Sequence, residues 1–311
     1  MDGDSIGTMS VIGAGLMGHG IAQVFAAGGH DVYLMDIDQS RLAEALVHVR
    51  DNLELMASNG IGKAEEIDAA IDRISTTTRL EEAAAGADFV VEAVPEKLDL
   101  KQKLFQDLDS LCPPETVLAT NTSVISSSEI AGRASRKERI IGAHFWNPPY
   151  LVPLVEVIPG RDSDTWAIDR ACELLRSAGK HPVRLKKDVP GFVGNRLQHA
   201  LWREAISIVE RGIADAETVD EVVKLGFGMR LPVLGPLENA DMVGLDLTLQ
   251  IHDYILRQIE SSPEPSPLLK DKVANGDLGF TTGAGFKEWT PQEIDKCRKD
   301  LQRHLIEWGR R

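Results

Sequence analysis

The sequence predicts a doubly wound α/β domain with a mostly parallel sheet, followed by an all-α C-terminal domain. Three observations carry this. Short apolar runs of strand length alternate with helical patterns and loops across residues 1–187. The first such run leads straight into Gly13-Ala14-Gly15-Leu16-Met17-Gly18, a G-x-G-x-x-G at a strand-to-helix junction. Past the stretch Lys186-Lys187-Asp188-Val189-Pro190-Gly191 the strand-like runs stop and helical periodicity takes over, so 188–311 reads as the second domain.

The elements follow in order. Residues 9–12 form a buried strand, and the apolar face of Ile21, Ala22, Val24, Phe25 and Ala26 forms a helix closed by Gly28-Gly29. A second strand, 31–35, ends on Asp36. Two helical stretches, 41–55 and 63–74, flank the turn Ser58-Asn59-Gly60 and interrupt the simple alternation, so they are expected to project from the sheet. Strands follow at 74–77, 88–94 and 117–120, with helices at 80–85 and 98–112, the latter stopped by Pro113-Pro114. Strands 140–145 and 154–158 are joined by WNPPYLVP, and helix 165–177 and strand 182–185 complete the domain. In the second domain, helices are expected at 195–211, at 216–225 capped by Asp215, and at 239–259 with a break near Gly244. Residues 261–267 (SSPEPSP) read as a surface loop, and no repeat or low-complexity segment is present.

The glycine-rich junction has the context of a dinucleotide fingerprint in a Rossmann-type domain. Gly13 permits the turn off the strand, and Gly15 lets the backbone approach a pyrophosphate. The free N–H groups of the helix start at Leu16 and Met17 face that charge, and Gly18 allows close helix–strand packing. Asp36 follows the last glycine by a spacing that suits the two ribose hydroxyls of an adenosine, and its charge repels a 2′-phosphate. NAD is therefore the expected cofactor. The bland alternative makes the same glycines turn and packing residues of a ligand-free sheet.

Composition narrows the partners. With 311 residues, 43% hydrophobic and 26% charged, the chain suits a globular protein with a sizeable core. A net charge of −14 disfavours nucleic acid and anionic membranes, both of which reward a basic face. The acidic start MDGDSIGT does not read as an export signal, and no apolar stretch reaches membrane-spanning length. Three scattered cysteines, Cys112, Cys172 and Cys297, offer neither a zinc spacing nor a disulfide framework, so a cytoplasmic location is expected.

Ligands of open α/β sheets gather at the C-terminal ends of strands, where Glu96, Asn121, Ser123, His144 and Asn147 lie, with Asn195 just past the linker. His144 closes one strand and Glu156 lies in the next, and the short proline-rich excursion allows the two to meet. A carboxylate on one imidazole nitrogen would leave the other as a general base for a hydroxyl proton. Taken singly, such positions more often hold a hydrogen-bonded strand-end histidine and an ion-paired glutamate. His19, beside the glycine loop, reads as a helix surface residue.

Taken together, VIGAGLMGHGIAQVFAAGG, VVEAVPEKLDLKQKLF, LATNTSVIS, HFWNPPYLVPLVEVI, DVPGFVGNRL, GPLENADMVGLD and TGAGF resemble the 3-hydroxyacyl-CoA dehydrogenase family over nearly the whole chain. The resemblance implies a two-domain NAD enzyme acting on a small-molecule substrate, usually a homodimer through the helical domain. It implies His144 as base, Glu156 as its orienter, and Ser123 and Asn195 as holders of the substrate oxygen. It implies Asp36 on the adenosine ribose and Glu96, Lys101, Asn121 and Asn147 around the cofactor.

The sequence departs from the acyl-CoA pattern. Enzymes that hold coenzyme A tend to carry basic residues on the helical hairpin, whereas residues 50–73 here hold three basic against six acidic side chains. The loop WNPPYLVP and the segment GFGMRLPVLGP look closer to the branch acting on small free acids, similar to gulonate and carnitine dehydrogenases and to an enzyme of pyridine-carboxylate breakdown. Arg230, in GFGMRLPVLGP, offers a forked donor for a substrate carboxylate, or else a surface ion pair. The expected reaction interconverts a 3-hydroxy and a 3-oxo group on a small free acid, with a true 3-hydroxyacyl-CoA dehydrogenase of fatty acid metabolism as the alternative. A cofactor-binding protein without turnover is disfavoured by the presence of both His144 and Glu156. A decarboxylating 3-hydroxyacid dehydrogenase would need a catalytic lysine where GFVGNRL stands.

Overall fold

The computed structural model describes residues 7–309; the acidic start of the chain, up to Ile6, lies outside them. The chain divides into two compact units, one of residues up to Val193 together with those from Leu301 onward, the other of Gly194–Asp300. The changeover falls a few residues after the boundary expected at 187/188.

The first unit is built on an eight-stranded sheet of order β3-β2-β1-β4-β5-β6-β7-β8. Its strands are β1 Thr8–Ile12, β2 Asp31–Met35, β3 Ile74–Thr77, β4 Phe89–Glu92, β5 Val117–Thr120, β6 Ile140–Phe145, β7 Leu154–Pro159 and β8 His181–Arg184. Every neighbouring pair is parallel except β6 and β7, so the expectation of a mostly parallel, doubly wound sheet is met. Helices α1 Leu16–Ala27, α2 Gln39–Ser58, α3 Ile67–Asp72, α4 Leu80–Ala84, α5 Leu98–Leu111, α6 Ser127–Ile130 and α7 Thr165–Ser177 fill the connections.

Period-two alternation along the strands feeds two cores. Met9, Val11, Phe89, Val91, Val117 and Ala119 face one way, joined by Ile21, Phe25, Leu42, Ala171 and Leu175 from the helices. Ile12, Val90, Leu118 and Ile140 face the other, against Ala83, Phe105, Leu108 and Ile130. Strands buried on both faces are what the continuous apolar runs imply.

The helical insertion projects less than its sequence implies. Leu42, Ala45 and Val49 seat the first half of α2 in the core beside α1. Only beyond that does it leave the core, no residue between Asp51 and Glu66 being buried. The same packing corrects the reading of His19 as a surface residue. It is buried, its Nδ1 lies 2.9 Å from Gly15 O, and its ring sits 5.3 Å from that of His48 on α2. Burial, opposed by the Gly15 hydrogen bond and aided by His48, holds its pKa below the ordinary imidazole range.

The second unit is helical: α8 Gly194–Glu210, α9 Ala216–Leu225, α10 Pro236–Val243, α11 Leu245–Ile255, α12 Pro267–Asn275 and the start of α13 Pro291–Gly309. Asp215 caps α9 by accepting from Thr218 N at 2.8 Å, and Gly244 separates α10 from α11, both as the sequence implies. Helices α12 and α13 have no counterpart among the expected elements. The residues of α13 from Leu301 group with the first unit, where Ile306 is buried and Gln302 hydrogen-bonds Tyr150. Among the described residues of 194–300 only Ser207 is buried.

Candidate active site

The strand order reverses between β1 and β4, the position where open α/β sheets leave a crevice for ligands. The glycine loop lies there. Gly13 has φ +103° and its N–H donates to Met35 O at 2.7 Å; a Cβ on it would stand 2.8 Å from Ala93 O. A Cβ on Gly18 would fall 1.7 Å from Gly13 O, so α1 starts in backbone contact with the loop. Gly15 differs: nothing lies within 4 Å of its Cβ position. The loop is thus closed against the protein on two sides and open where Gly15 caps α1, whose first residues are Leu16 and Met17.

Asp36 is fastened to this loop. Its Oδ2 accepts from Ala14 N at 2.9 Å and its Oδ1 from Asp38 N at 3.1 Å. Each oxygen keeps a lone pair for a further donor.

The ends of β4, β5 and β6 are tied together by polar side chains. Lys101 Nζ, fully buried, lies 2.5 Å from Glu92 Oε1 and 3.1 Å from Glu96 Oε2. Glu92 also accepts from Val94 N at 2.7 Å and Thr120 Oγ1 at 2.8 Å. Burial pushes its carboxyl above the ordinary carboxylate range in spite of the lysine. Glu96 goes the other way: burial opposes its charge, but Thr122, Lys101 and the Ser123 N–H together hold it below that range. Its Oε1 accepts from Thr122 Oγ1 and from Ser123 N at 3.1 Å. Asn121 donates its N–H to Glu92 O at 2.8 Å, and its Oδ1 accepts from Phe145 N at 2.8 Å, joining β6 to the same cluster.

Ser123 then reaches the histidine. His144 and Glu156 stand directly opposite one another across the antiparallel β6–β7 pair, at 5% and 2% exposure. Nδ1 of His144 lies 2.9 Å from Glu156 Oε2, and its Nε2 3.3 Å from Ser123 Oγ. Because a carboxylate only accepts, Nδ1 carries the proton and Nε2 accepts from the serine hydroxyl. The second oxygen of Glu156 accepts from Val193 N at 3.0 Å. Trp146 and Phe192 lie against the imidazole, each with its centroid 5.5 Å away. Chemically this is a buried imidazole with a fixed tautomer and a free basic nitrogen beside a hydroxyl.

The loop between β6 and β7 carries Asn147, which is exposed, and leans on the cofactor-side helix: a Cβ on Gly20 would meet the Pro149 ring at 3.0 Å. Lys180 Nζ holds this loop through Pro149 O (2.5 Å) and Val152 O (2.7 Å), and burial pushes the lysine pKa down to about 8. Asn195 lies in the first turn of α8, half-buried, and Arg230 is exposed beside a short 3-10 turn; both belong to the second unit. The structure therefore joins Ser123, His144 and Glu156 in one chain of contacts and links Ser123 to Glu96 and Lys101. Glu92, Thr120, Thr122, Trp146, Lys180 and Phe192 are participants the sequence reading does not single out. The alternation Thr120-Asn121-Thr122 carries a signal for two of them, since Thr120 registers against Glu92.

Comparison with known proteins places the chain in a family. A family model described as 3-hydroxyacyl-CoA dehydrogenase, NAD binding domain, matches residues 8–189, and one for the 3-hydroxyacyl-CoA dehydrogenase C-terminal domain matches 191–289. The chain is 32% identical over 301 residues to 5-formyl-3-hydroxy-2-methylpyridine 4-carboxylate 5-dehydrogenase of Mesorhizobium japonicum, covering 97% of this chain and 96% of the relative. It is 41% identical over 281 residues to a probable 3-hydroxybutyryl-CoA dehydrogenase of Bacillus subtilis, covering 90% and 96%. A crystal structure of a 5-formyl-3-hydroxy-2-methylpyridine 4-carboxylic acid 5-dehydrogenase, described as an NAD+ dependent dismutase, superposes with a TM-score of 0.89 at 31% identity over 97% of both chains.

Gly15 and Gly18, one open and one closed, separate folding from cofactor binding. Gly18→Ala should lower the melting temperature, since its methyl has no room. Gly15→Ala should fold as the unmutated protein does, yet weaken NAD binding by roughly 10-fold or more, as a single misplaced contact does. Calorimetry for NAD beside thermal melts checks both; normal NAD affinity in Gly15→Ala would place the pyrophosphate elsewhere.

Proposed function

The chain belongs to the 3-hydroxyacyl-CoA dehydrogenase family, and from that premise we propose that it interconverts the 3-hydroxy and 3-oxo forms of a small free carboxylic acid. The observation that carries the reading is the buried His144–Glu156 pair with Ser123 at the free imidazole nitrogen. The glycine cradle fits a dinucleotide, since Gly15 alone leaves open space there. We assign Gly13, Gly15, Leu16, Met17 and Gly18 to the pyrophosphate, Asp36 to the adenosine ribose, and Glu96, Lys101, Asn121 and Asn147 to the remainder of the cofactor site. Bound NAD supplies the hydride acceptor. Asp36 favours NAD over its phosphorylated analogue because a 2′-phosphate would meet a held carboxylate.

The chain's own residues handle the proton. Ser123 Oγ and the Asn195 side chain hold the substrate hydroxyl at His144 Nε2, which accepts its proton. Glu156 stabilises the imidazolium that forms and prevents the ring from flipping, without taking the proton itself. In the reverse direction Nε2 returns the proton to the carbonyl oxygen.

Two observations favour a free acid. The hairpin of residues 50–73 carries six acidic side chains against three basic, a poor surface for a ligand bearing several phosphates. The likeness to the pyridine carboxylate enzyme covers nearly the whole of both chains. We assign Arg230 to the substrate carboxylate. The higher identity to the probable 3-hydroxybutyryl-CoA dehydrogenase supports the second reading, an acyl-CoA substrate.

We further infer a homodimer through the helical unit. A unit of helices whose one buried residue is Ser207 has no core of its own scale, and Leu247, Ile251, Tyr254 and Ile255 expose an apolar face at helical spacing on α11. An open groove of about 1480 Å³, walled by Trp202, Ile206, Leu269, Phe280 and Phe286, lies in the same unit. No described helix is long and apolar enough to cross a membrane. Three free cysteines agree with a reducing, cytoplasmic setting.

His144→Ala should lose roughly 10²–10⁴-fold in kcat, the usual share of general acid–base catalysis. Glu156→Gln should lose much of the same factor, and the double variant little more than the worse single one. Losses that multiply cleanly would mean that the two residues do not share one proton transfer. Arg230→Leu should raise KM for a free 3-hydroxy acid by roughly 10–100-fold, the loss of a charged hydrogen bond, while leaving an acyl thioester unaffected. Following NADH absorbance with a panel of both classes decides the substrate: efficient turnover of acetoacetyl-CoA with no free acid consumed would establish the second reading. In sedimentation, the protein should run as a dimer and Ile251→Asp as a monomer; a monomeric unmutated protein would refute the interface.

A further inference from the structure

The segment that ends the first unit passes over the candidate proton-transfer pair. Asp188 anchors its start, its Oδ2 accepting from Ser126 Oγ (2.6 Å), Ser127 Oγ (3.0 Å), Ser128 N (2.9 Å) and Ser128 Oγ (2.8 Å). Phe192 N donates back to Val189 O at 3.1 Å, closing a tight turn. Gly191 and Phe192 both lie in the left-handed region, at φ +76° and φ +50°. For glycine this is ordinary. For phenylalanine it is a strained conformation, because Cβ crowds the following carbonyl, and among the described residues Phe192 alone combines a side chain with positive φ.

Two contacts account for an aromatic residue in a glycine-like position. The Phe192 ring is fully buried against the His144 imidazole, 5.5 Å between centroids at 54°. The next N–H along the chain, that of Val193, reaches Glu156 Oε1 at 3.0 Å, while Oε2 holds His144 Nδ1 at 2.9 Å. A glycine at 192 would satisfy the turn without strain but leave the imidazole open on that side. A right-handed or extended phenylalanine would send the chain, and the Val193 N–H, in another direction. Strain kept at a residue touching the reacting group is the pattern expected where geometry serves function rather than stability.

We propose that Phe192 is a positioning residue for the proton transfer, its ring walling the His144 imidazole and its left-handed backbone delivering the Val193 N–H to the second oxygen of Glu156. The inference rests on the reading of His144 as the base. With both oxygens engaged, the Glu156 carboxylate has no freedom to rotate, so the proton stays on His144 Nδ1, directed at Oε2, and Nε2 stays unprotonated. Water kept off the pair by the two rings preserves the strength of that hydrogen bond.

The test compares Phe192→Ala with Phe192→Gly and reads the His144 Nδ1 proton by nuclear magnetic resonance beside kcat and melting temperature. In the unmutated protein that proton should be shifted downfield and slow to exchange with water. Both variants should lose this protection and lose kcat by roughly 10-fold or more, as small misplacements of a reacting group do, with NAD affinity unchanged. The glycine variant should melt above the alanine variant, since glycine tolerates φ +50°. Activity would then follow the ring while stability follows the backbone, and Phe192→Leu, which keeps apolar cover, should recover part of kcat. Persistence of the protected proton and of kcat in either folded variant would overturn the role of Phe192 alone, as would a kcat that rises and falls with melting temperature. Absence of the protected proton from the unmutated protein would overturn the His144–Glu156 pair itself and this inference with it.

Discussion

The site depends on one reversal of strand direction. Six neighbouring strands run parallel, and β7 turns back antiparallel on β6. The cause is chain length. A parallel return needs a crossover of a dozen or more residues, and residues 146–153 between the two strands are too few. WNPPYLVP therefore forces an antiparallel pair, and in such a pair opposite residues share one face at close range. The register that sets His144 against Glu156 follows, and every other contact of the imidazole is arranged around it.

Much of this is legible in the sequence. Strands with continuous apolar runs are found where periodicity places them, because burial on both faces leaves little ambiguity. The glycine loop and Asp36 are legible because backbone chemistry dictates them: Gly13 needs its positive φ, Gly18 its missing Cβ, and Asp36 hangs on the Ala14 amide. What stays hidden depends on contacts between distant segments. His19 looks like a helix surface residue until Leu42, Ala45 and Val49 bring α2 over it. Phe192 sits in a glycine- and proline-rich linker, and no local pattern tells that its ring packs on a histidine far back in the chain. Helix α13 is rich in charge, so its apolar stripe is thin, and Ile306 is buried only through long-range packing.

The polar cluster beside the pair shows how a fold can bury several carboxylates without unfolding. Buried Glu92 and Glu156, and the more exposed Glu96, lie within a few residues of strand ends, where backbone N–H groups and hydroxyls are available. A buried carboxylate with a single cationic partner is usually costly; a cation and several hydrogen bonds together offset part of that cost. Glu92 and Glu96 share Lys101 but differ in burial, and their pKa values move in opposite directions as a result. The more exposed of the two, Glu96, keeps its charge and holds the Ser123 amide. Position along the strand axis therefore separates a support from a group that faces the site.

On the proposed reading, hydride and proton chemistry fall on two parts of one sheet. Parallel strands β1, β2 and β4 end at the switch point, where the glycine loop and Asp36 leave room for a dinucleotide. The antiparallel pair β6–β7, which carries the proposed base, lies further along the same sheet. Between them stand Asn121, which ties β5 to β6, and Pro149, which rests on Gly20 of the cofactor-side helix. The Asn121 bond to Phe145 N is 2.8 Å, and a methyl added to Gly20 would press on the Pro149 ring at 3.0 Å. Lys180 secures the second through two carbonyls in a partly dry setting, where a hydrogen bond from a charged group is strong. Helix α1 and the loop that follows His144 thus pack directly on one another at Gly20 and Pro149. For the proposed reaction, in which a hydride leaves carbon as a proton leaves the attached oxygen, such close packing keeps the cofactor side and the proposed base in one frame.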